Sequence, residues 1–257
     1  MLSKRVASIS NSNKDIVDTY FICKADPFHP SKNPDGYINF GTAENYLLWD
    51  ILQEKMTQAP PMTEYDSHYQ LLYGKKGLRI SLAALLSQRA SCEINPDEII
   101  VAAGATAILE ILAFSLCDVD DAILVPSPYY PGFNYAFGMR AKAKVIPVPT
   151  YSENQFGFDL KILKDTLDKI RKSDVNIKAL LISSPNNPLG HIYSKSMVKN
   201  LIDFSTSENL HLIADEIYAE SYFPDSSFPS TLSYREPHIH TVYGFAKDFG
   251  LSGLGIG

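Results

Sequence analysis

Three cysteines in 257 residues, Cys23, Cys92 and Cys117, are too few and too scattered for a disulfide framework, and their spacing matches no metal site. A reducing cytoplasm is the expected location. The chain also lacks a basic excess. Charged residues make up 20% of it and the net charge is -6, so no field recruits nucleic acid or an anionic membrane. It has no internal repeat and no low-complexity tract. Lys4 and Arg5 stand near the start, but Val6 to Lys14 is polar and lacks the apolar core of a signal peptide. Only Ile99 to Leu116 approaches spanning length; Gly104 and Glu110 interrupt it, and a strand, a turn and a helix account for the same residues. A small molecule is therefore the expected partner.

What is present is a chain that is 45% apolar, enough to bury a sizeable core. A Pro- and Asn-rich entry precedes Ala43 to Met56, where Leu47, Leu48, Ile51 and Leu52 share a helical face. Ala59 to Tyr73, with Pro60, Pro61 and three tyrosines, reads as an extended crossing before a helix over Leu78 to Arg89. Short apolar runs then predict strands at Ile99–Ala103, Ala122–Val125, Lys144–Val148, Ala179–Ser183, His211–Ala214 and Thr241–Tyr243. Between them lie helices, notably Asp159–Ser173, with Asp159 as cap and Leu160, Leu163, Leu167 and Ile170 as stripe, and Ser194–Ser207. Alternating strands and helices predict an α/β fold with a mostly parallel, three-layer sheet. Such sheets place their chemistry just past the carboxyl ends of the strands.

The residues at those places are Gly104-Ala105-Thr106, opening a helix; Pro126 to Gly132, with Tyr129 and Tyr130; Ser184 to Gly190, with Asn187; Asp215-Glu216-Ile217-Tyr218; and Lys247. Each has a bland account on its own: a glycine turn with a cap, core packing by a ring, a solvated lysine. Asp215 stands directly beyond a buried strand, where an unpaired charge is costly, so a cationic partner is expected. A lysine desolvated in a pocket has a lowered pKa and attacks aldehydes.

Taken together, the stretches AGATAILEIL, PSPYYPGF, SSPNNPLG, HLIADEIY and YGFAKDFGLSG resemble those of fold-type I pyridoxal 5′-phosphate (PLP) enzymes of the class I/II aminotransferase family. INFGTAENYLLWDIL and PYYPGF are similar to 1-aminocyclopropane-1-carboxylate synthases and synthase-like proteins. The resemblance implies that Lys247 holds PLP as a Schiff base and serves as base at Cα. It implies that Asp215 pairs with the pyridinium nitrogen and that Asn187 and Tyr218 bond the ring 3′-oxygen. Tyr130 would stack on the ring, with Tyr129 as a lesser alternative, and Ala105 and Thr106 would hold the phosphate. Glu44 sits where the synthases keep an active-site glutamate, although a carboxylate in the first turn of a helix is an equal account. Tyr69 matches the aromatic residue that reaches a neighbouring subunit's cofactor, with Tyr73 nearer the synthase placement.

The family usually has a serine three residues before the lysine and an arginine eight after it, both on the phosphate; here these are Gly244 and Gly255. The chain stops ten residues beyond Lys247, where the family continues into further strands and a small domain, so a truncated chain is expected. The implied organisation is an arm and partial small domain over residues 1–42 and a PLP-binding large domain over 43–257. The implied function is amino-group transfer on an amino-acid substrate by a homodimer, with no metal. Two alternatives stand beside it: a synthase-like lyase acting on S-adenosylmethionine, and an inactive remnant.

Overall fold

The computed structural model describes Ser3, Val6 and residues 14–223 and 227–257. Apart from Val6 and the backbone at Lys14, the polar stretch read above as lacking a signal core lies outside the described residues. The chain divides into two units, Met1–Glu44 and Asn45–Gly257. In the first, helix α1 (Lys14–Ala25) leads into a turn closed by Asn33. The Asn33 amide donates to the Asp26 carboxylate at 2.6 Å and to the Pro27 carbonyl at 3.0 Å.

The second unit contains α2 (Trp49–Thr57), α3 (Lys76–Ala90), α4 (Ala105–Leu116), β1 (Ala122–Ser127), α5 (Gly132–Gly138) and β2 (Lys144–Pro149). It continues through α6 (Leu160–Arg171), β3 (Ile177–Ser183), α7 (Lys195–Ser207), β4 (His211–Asp215) and β5 (Ile239–Val242). The five strands form a parallel sheet in the order β2-β1-β3-β4-β5. Side chains alternate between its faces, as strand geometry demands. Ile123, Val125, Leu181 and Ile213 meet Leu109 of α4 and Phe133 and Phe137 of α5 on one side. Leu124, Leu180 and Leu212 meet Leu163 and Leu167 of α6 and Val198 and Leu201 of α7 on the other. The result is the three-layer α/β architecture.

Local chemistry sets the helix starts. The Asp159 carboxylate accepts the Lys161 N–H at 2.7 Å to begin α6, and the Ser194 hydroxyl accepts the Met197 N–H at 3.2 Å to begin α7. The described helices include none long and apolar enough to cross a membrane. Within the stretch that approached spanning length, α4 has only 12 residues.

Two expectations are corrected. Residues 99–103 are not a strand: Val101 donates to the Tyr73 carbonyl, and Ala102 exchanges two bonds with Gly257, at 2.8 and 3.2 Å. An apolar run becomes a strand only where a ladder receives it, and these isolated bonds are not one. The helix expected over Ala43–Met56 begins only at Trp49. The Asn45 side chain accepts the Leu47 N–H at 3.1 Å, a turn that competes with helix, and Leu47 is left 96% exposed. Glu44 consequently lies outside any helical first turn.

Leu180 is wholly buried at the centre of the sheet, whereas the Tyr69 ring is fully exposed. Leu180→Ala is expected to lower unfolding free energy by about 2–5 kcal/mol in urea titrations, and Tyr69→Ala by less than about 0.5 kcal/mol.

Candidate functional site

The register aligns the strand ends. Asp215 closes β4 opposite Ser183 of β3 and Val242 of β5, and the pairing runs one step further through Ser184 N–H to Asp215 O (3.0 Å) and Glu216 N–H to Val242 O (2.8 Å). Loops from β1, β3, β4 and β5 therefore leave the same edge, as expected of a parallel sheet.

The Asp215 carboxyl is buried among these loops. Its Oδ1 accepts the Ile217 N–H at 3.2 Å, and no side-chain cation pairs with it among the described residues. Burial pushes the Asp215 pKa up to about 7, against the downward pull of the Ile217 N–H, and the charge of Glu216 adds to the rise.

Tyr218 joins the group from the same loop. Its hydroxyl lies beside the Asn187 side chain and within the fields of Asp215 and Tyr130; burial, then those charges, pushes its pKa up, against the downward pull of Asn187. Asn187 is presented by a loop closed on itself, with Asn186 N–H on His191 O and Gly190 N–H on Asn186 O, each at 2.8 Å. The Tyr130 ring packs over the bare α-carbon of Gly132, where an added Cβ would fall 2.1 Å from a ring atom, and meets Phe133 edge-on at 5.6 Å. Asn187, Tyr218, Asp215 and Tyr130 are thus brought together.

Ala105 and Thr106 are the first residues of α4, reached through Gly104 at φ +88°, a left-handed value that favours glycine. As helix-opening residues they have N–H groups with no carbonyl a turn back. Gly255 lies against Gly104, so the position that departs from the family faces this helix start, and no side-chain cation comes from it. At Gly244 a Cβ would stand 2.9 Å from the Ile256 carbonyl oxygen and 3.1 Å from Ile217 Cδ1, so the family's serine does not fit without displacing backbone.

Lys247 is half-buried in the loop after β5, where Gly250 N–H donates to its carbonyl at 3.1 Å. Tyr129 stacks on Phe133 at 6.3 Å. Tyr69 is exposed, and Glu44 belongs to the first unit. A cavity of about 820 Å³ opens beside β5, lined by Leu86, Val101, Ile108, Val242 and Tyr243, but Lys247, Asp215, Asn187 and Tyr218 are not among its walls.

Several residues around the site carried no sequence signal. Glu216 is buried and satisfied by the Ser230 hydroxyl and by the N–H and hydroxyl of Thr231, all at 2.7 Å. Two acids in succession after a buried strand were the only hint. Arg89 and Asp248, which hold the same loops, are joined to them only by long-range folding.

Because folding raises the Asp215 pKa, the folded chain keeps a proton that the unfolded chain sheds above about pH 4. In cofactor-free protein this group's contribution is full below that pH and declines as pH rises toward about 7. Asp215→Asn is expected to unfold later than wild type at pH 8, by an amount on the order of a few kcal/mol, with the difference closing toward pH 4 in parallel denaturation curves.

Comparison with known proteins matches residues 36–257 to the model of the family described as aminotransferase class I and II. A tobacco protein named 1-aminocyclopropane-1-carboxylate synthase is 34% identical over 90% of this chain and 51% of its own length. A mouse protein named "Probable inactive 1-aminocyclopropane-1-carboxylate synthase-like protein 2" is 35% identical over the whole chain and 47% of its own length. Among solved structures, an archaeal alanine:glyoxylate aminotransferase aligns with 99% of this chain and 62% of its own, at 20% identity and a TM-score of 0.79, a likeness of fold. The chain spans about half the length of the curated relatives it matches. With the family model covering all but its first 35 residues, the chain belongs to the aminotransferase class I and II family.

Proposed function

We propose that the whole protein holds PLP and acts at the Cα of an amino acid, transferring its amino group. The observation that carries this reading is the buried carboxylate of Asp215, with no side-chain cation paired to it among the described residues, beside the side chains of Asn187 and Tyr218. A protonated ring nitrogen is the complement such a carboxylate lacks, and pairing with it would reverse the upward push of burial. The fit is good at this end: Asn187 and Tyr218 offer an amide and a hydroxyl to the 3′-oxygen, and the Tyr130 ring would cover one ring face. At the phosphate end Ala105 and Thr106 offer backbone N–H groups and a hydroxyl, with no arginine at Gly255 to assist.

PLP, when bound, supplies an electron sink for the pair left on Cα. Asp215 would pair with the ring nitrogen and hold a proton there. With the cofactor bound, the Lys247 amine would hold its aldehyde carbon and would serve as the base that takes the proton from Cα. Glu44 is assigned to the substrate. The exposed apolar side chains of Tyr46, Leu47, Trp49 and Leu72 support a homodimer in which Tyr69 reaches the other subunit's cofactor. Residues 1–42 are assigned to an arm and part of a small domain, and 43–257 to the large domain. The unpaired cysteines support a cytoplasmic location.

A second reading, a non-catalytic binding protein, is favoured by Gly244 and Gly255, which leave the phosphate end without its usual grip. Borohydride reduction of the full-length protein with PLP separates the two. The enzyme reading predicts an adduct on Lys247 that Lys247→Ala abolishes, and turnover lowered about a hundredfold or more by Asp215→Ala; no adduct in wild type favours the binding protein. The names of the relatives also support a lyase branch. Incubation with PLP and S-adenosylmethionine tests it: methylthioadenosine above background establishes that branch, and its absence leaves transamination.

A further inference from the structure

Two of the loops at the sheet edge carry the groups on which the proposed function rests, and one side chain ties them together. Asp248, next to Lys247, turns its carboxylate toward the loop after β4. Its Oδ1 accepts the Ser221 hydroxyl at 2.7 Å and its Oδ2 accepts the Glu220 N–H at 2.9 Å. The turn it grips, Tyr218 to Ser221, is closed by Ser221 N–H on the Tyr218 carbonyl at 2.8 Å. That turn begins with Tyr218, the tyrosine beside Asn187.

A second connection runs beside the first. The Glu220 carboxylate accepts two N–H groups of Arg89, at 2.7 and 3.0 Å. The Arg89 guanidinium also lies over the Tyr243 ring, 4.2 Å from its centroid, at the start of the loop that carries Lys247. Arg89 thus holds both loops from α3, while Asp248 holds one to the other. A four-carbon stem gives a lysine amine wide reach, so its position relative to a ring depends on how its loop is anchored.

We propose that Asp248 is a positioning residue: by gripping the Tyr218–Ser221 turn it joins the loop of Lys247 to the loop of Asp215 and Tyr218, so that amine and ring-binding groups keep one spacing. The proposal rests on the roles given above to Lys247, Asp215 and Tyr218. Asp248 itself is assigned no contact with the cofactor. Asp248→Asn preserves size and turns an amide N–H toward one of two donors, Ser221→Ala removes one bond, and Ser221→Thr restores it.

The test uses the full-length protein in two measurements. With PLP, Asp248→Asn is expected to weaken affinity about tenfold and to move the pH midpoint of the bound cofactor's visible band. Ser221→Ala should weaken it about threefold and Ser221→Thr should match wild type, as should Arg235→Ala, which disturbs contacts with the Glu93 carbonyl and the Glu98 carboxylate. Without PLP, amide hydrogen exchange in Asp248→Asn should quicken together in the segments 216–221 and 243–250, leaving β1 and β3 unchanged. PLP affinity within about twofold of wild type, or faster exchange in 243–250 alone, overturns the proposal. Wild-type protein that takes up no PLP overturns the functional reading instead, and the exchange result then decides by itself whether Asp248 couples the two loops.

Discussion

A carboxylate at the buried end of an inner strand, with no side-chain cation paired to it among the described residues, is the constraint around which this unit is organised. Asp215 is reached by β4, whose neighbours on both sides end at the same level. Placing a charge there costs free energy that a core residue would not, and the chain meets only part of that cost, through one N–H from Ile217. The contrast with Glu216 is instructive. One residue further on, an equally buried carboxylate receives three hydrogen bonds from Ser230 and Thr231 and is fully provided for. Adjacent acids in one buried turn thus have opposite provisions, one met by three hydrogen bonds and one by a single N–H.

The surrounding sequence serves to keep that open position in shape. Parallel pairing sends the loops of β1, β3, β4 and β5 to one edge, so Tyr130, Asn187 and Tyr218 are gathered by topology rather than by nearness in sequence. Side-chain ties then join the loops: Asp248 to Ser221, Arg89 to Glu220. The other end of the site is less well provided. Gly104 and Gly255 meet at the opening of α4 with no cation between them, and the close approach of Ile256 and Ile217 at Gly244 excludes the larger residue usual in the family.

The parts of the fold legible in the sequence are those whose cause is local or periodic. The strands β1, β3 and β4 are buried on both faces and read as continuous apolar runs, and Asp159 and Ser194 announce the starts of α6 and α7. What was not legible depended on partners distant in the chain. Residues 99–103 have the composition of a strand but no ladder, and Asn45 captures the N–H of Leu47 where a helix was expected. The proximity of Asp215, Asn187, Tyr218 and Tyr130 could be inferred from strand ends in an alternating pattern. The ties from Arg89 and Asp248 could not, because Arg89 and Glu220 are 131 residues apart.

The central claim, that the Asp215 carboxylate is left open for a protonated ring nitrogen, is tested most directly by nitrogen-15 magnetic resonance of the full-length protein loaded with ring-labelled PLP. The account predicts a ring nitrogen that stays protonated at pH 8 and loses its proton in Asp215→Ala. A bound ring nitrogen that is unprotonated at pH 8, or whose signal is indifferent to that substitution, would contradict it.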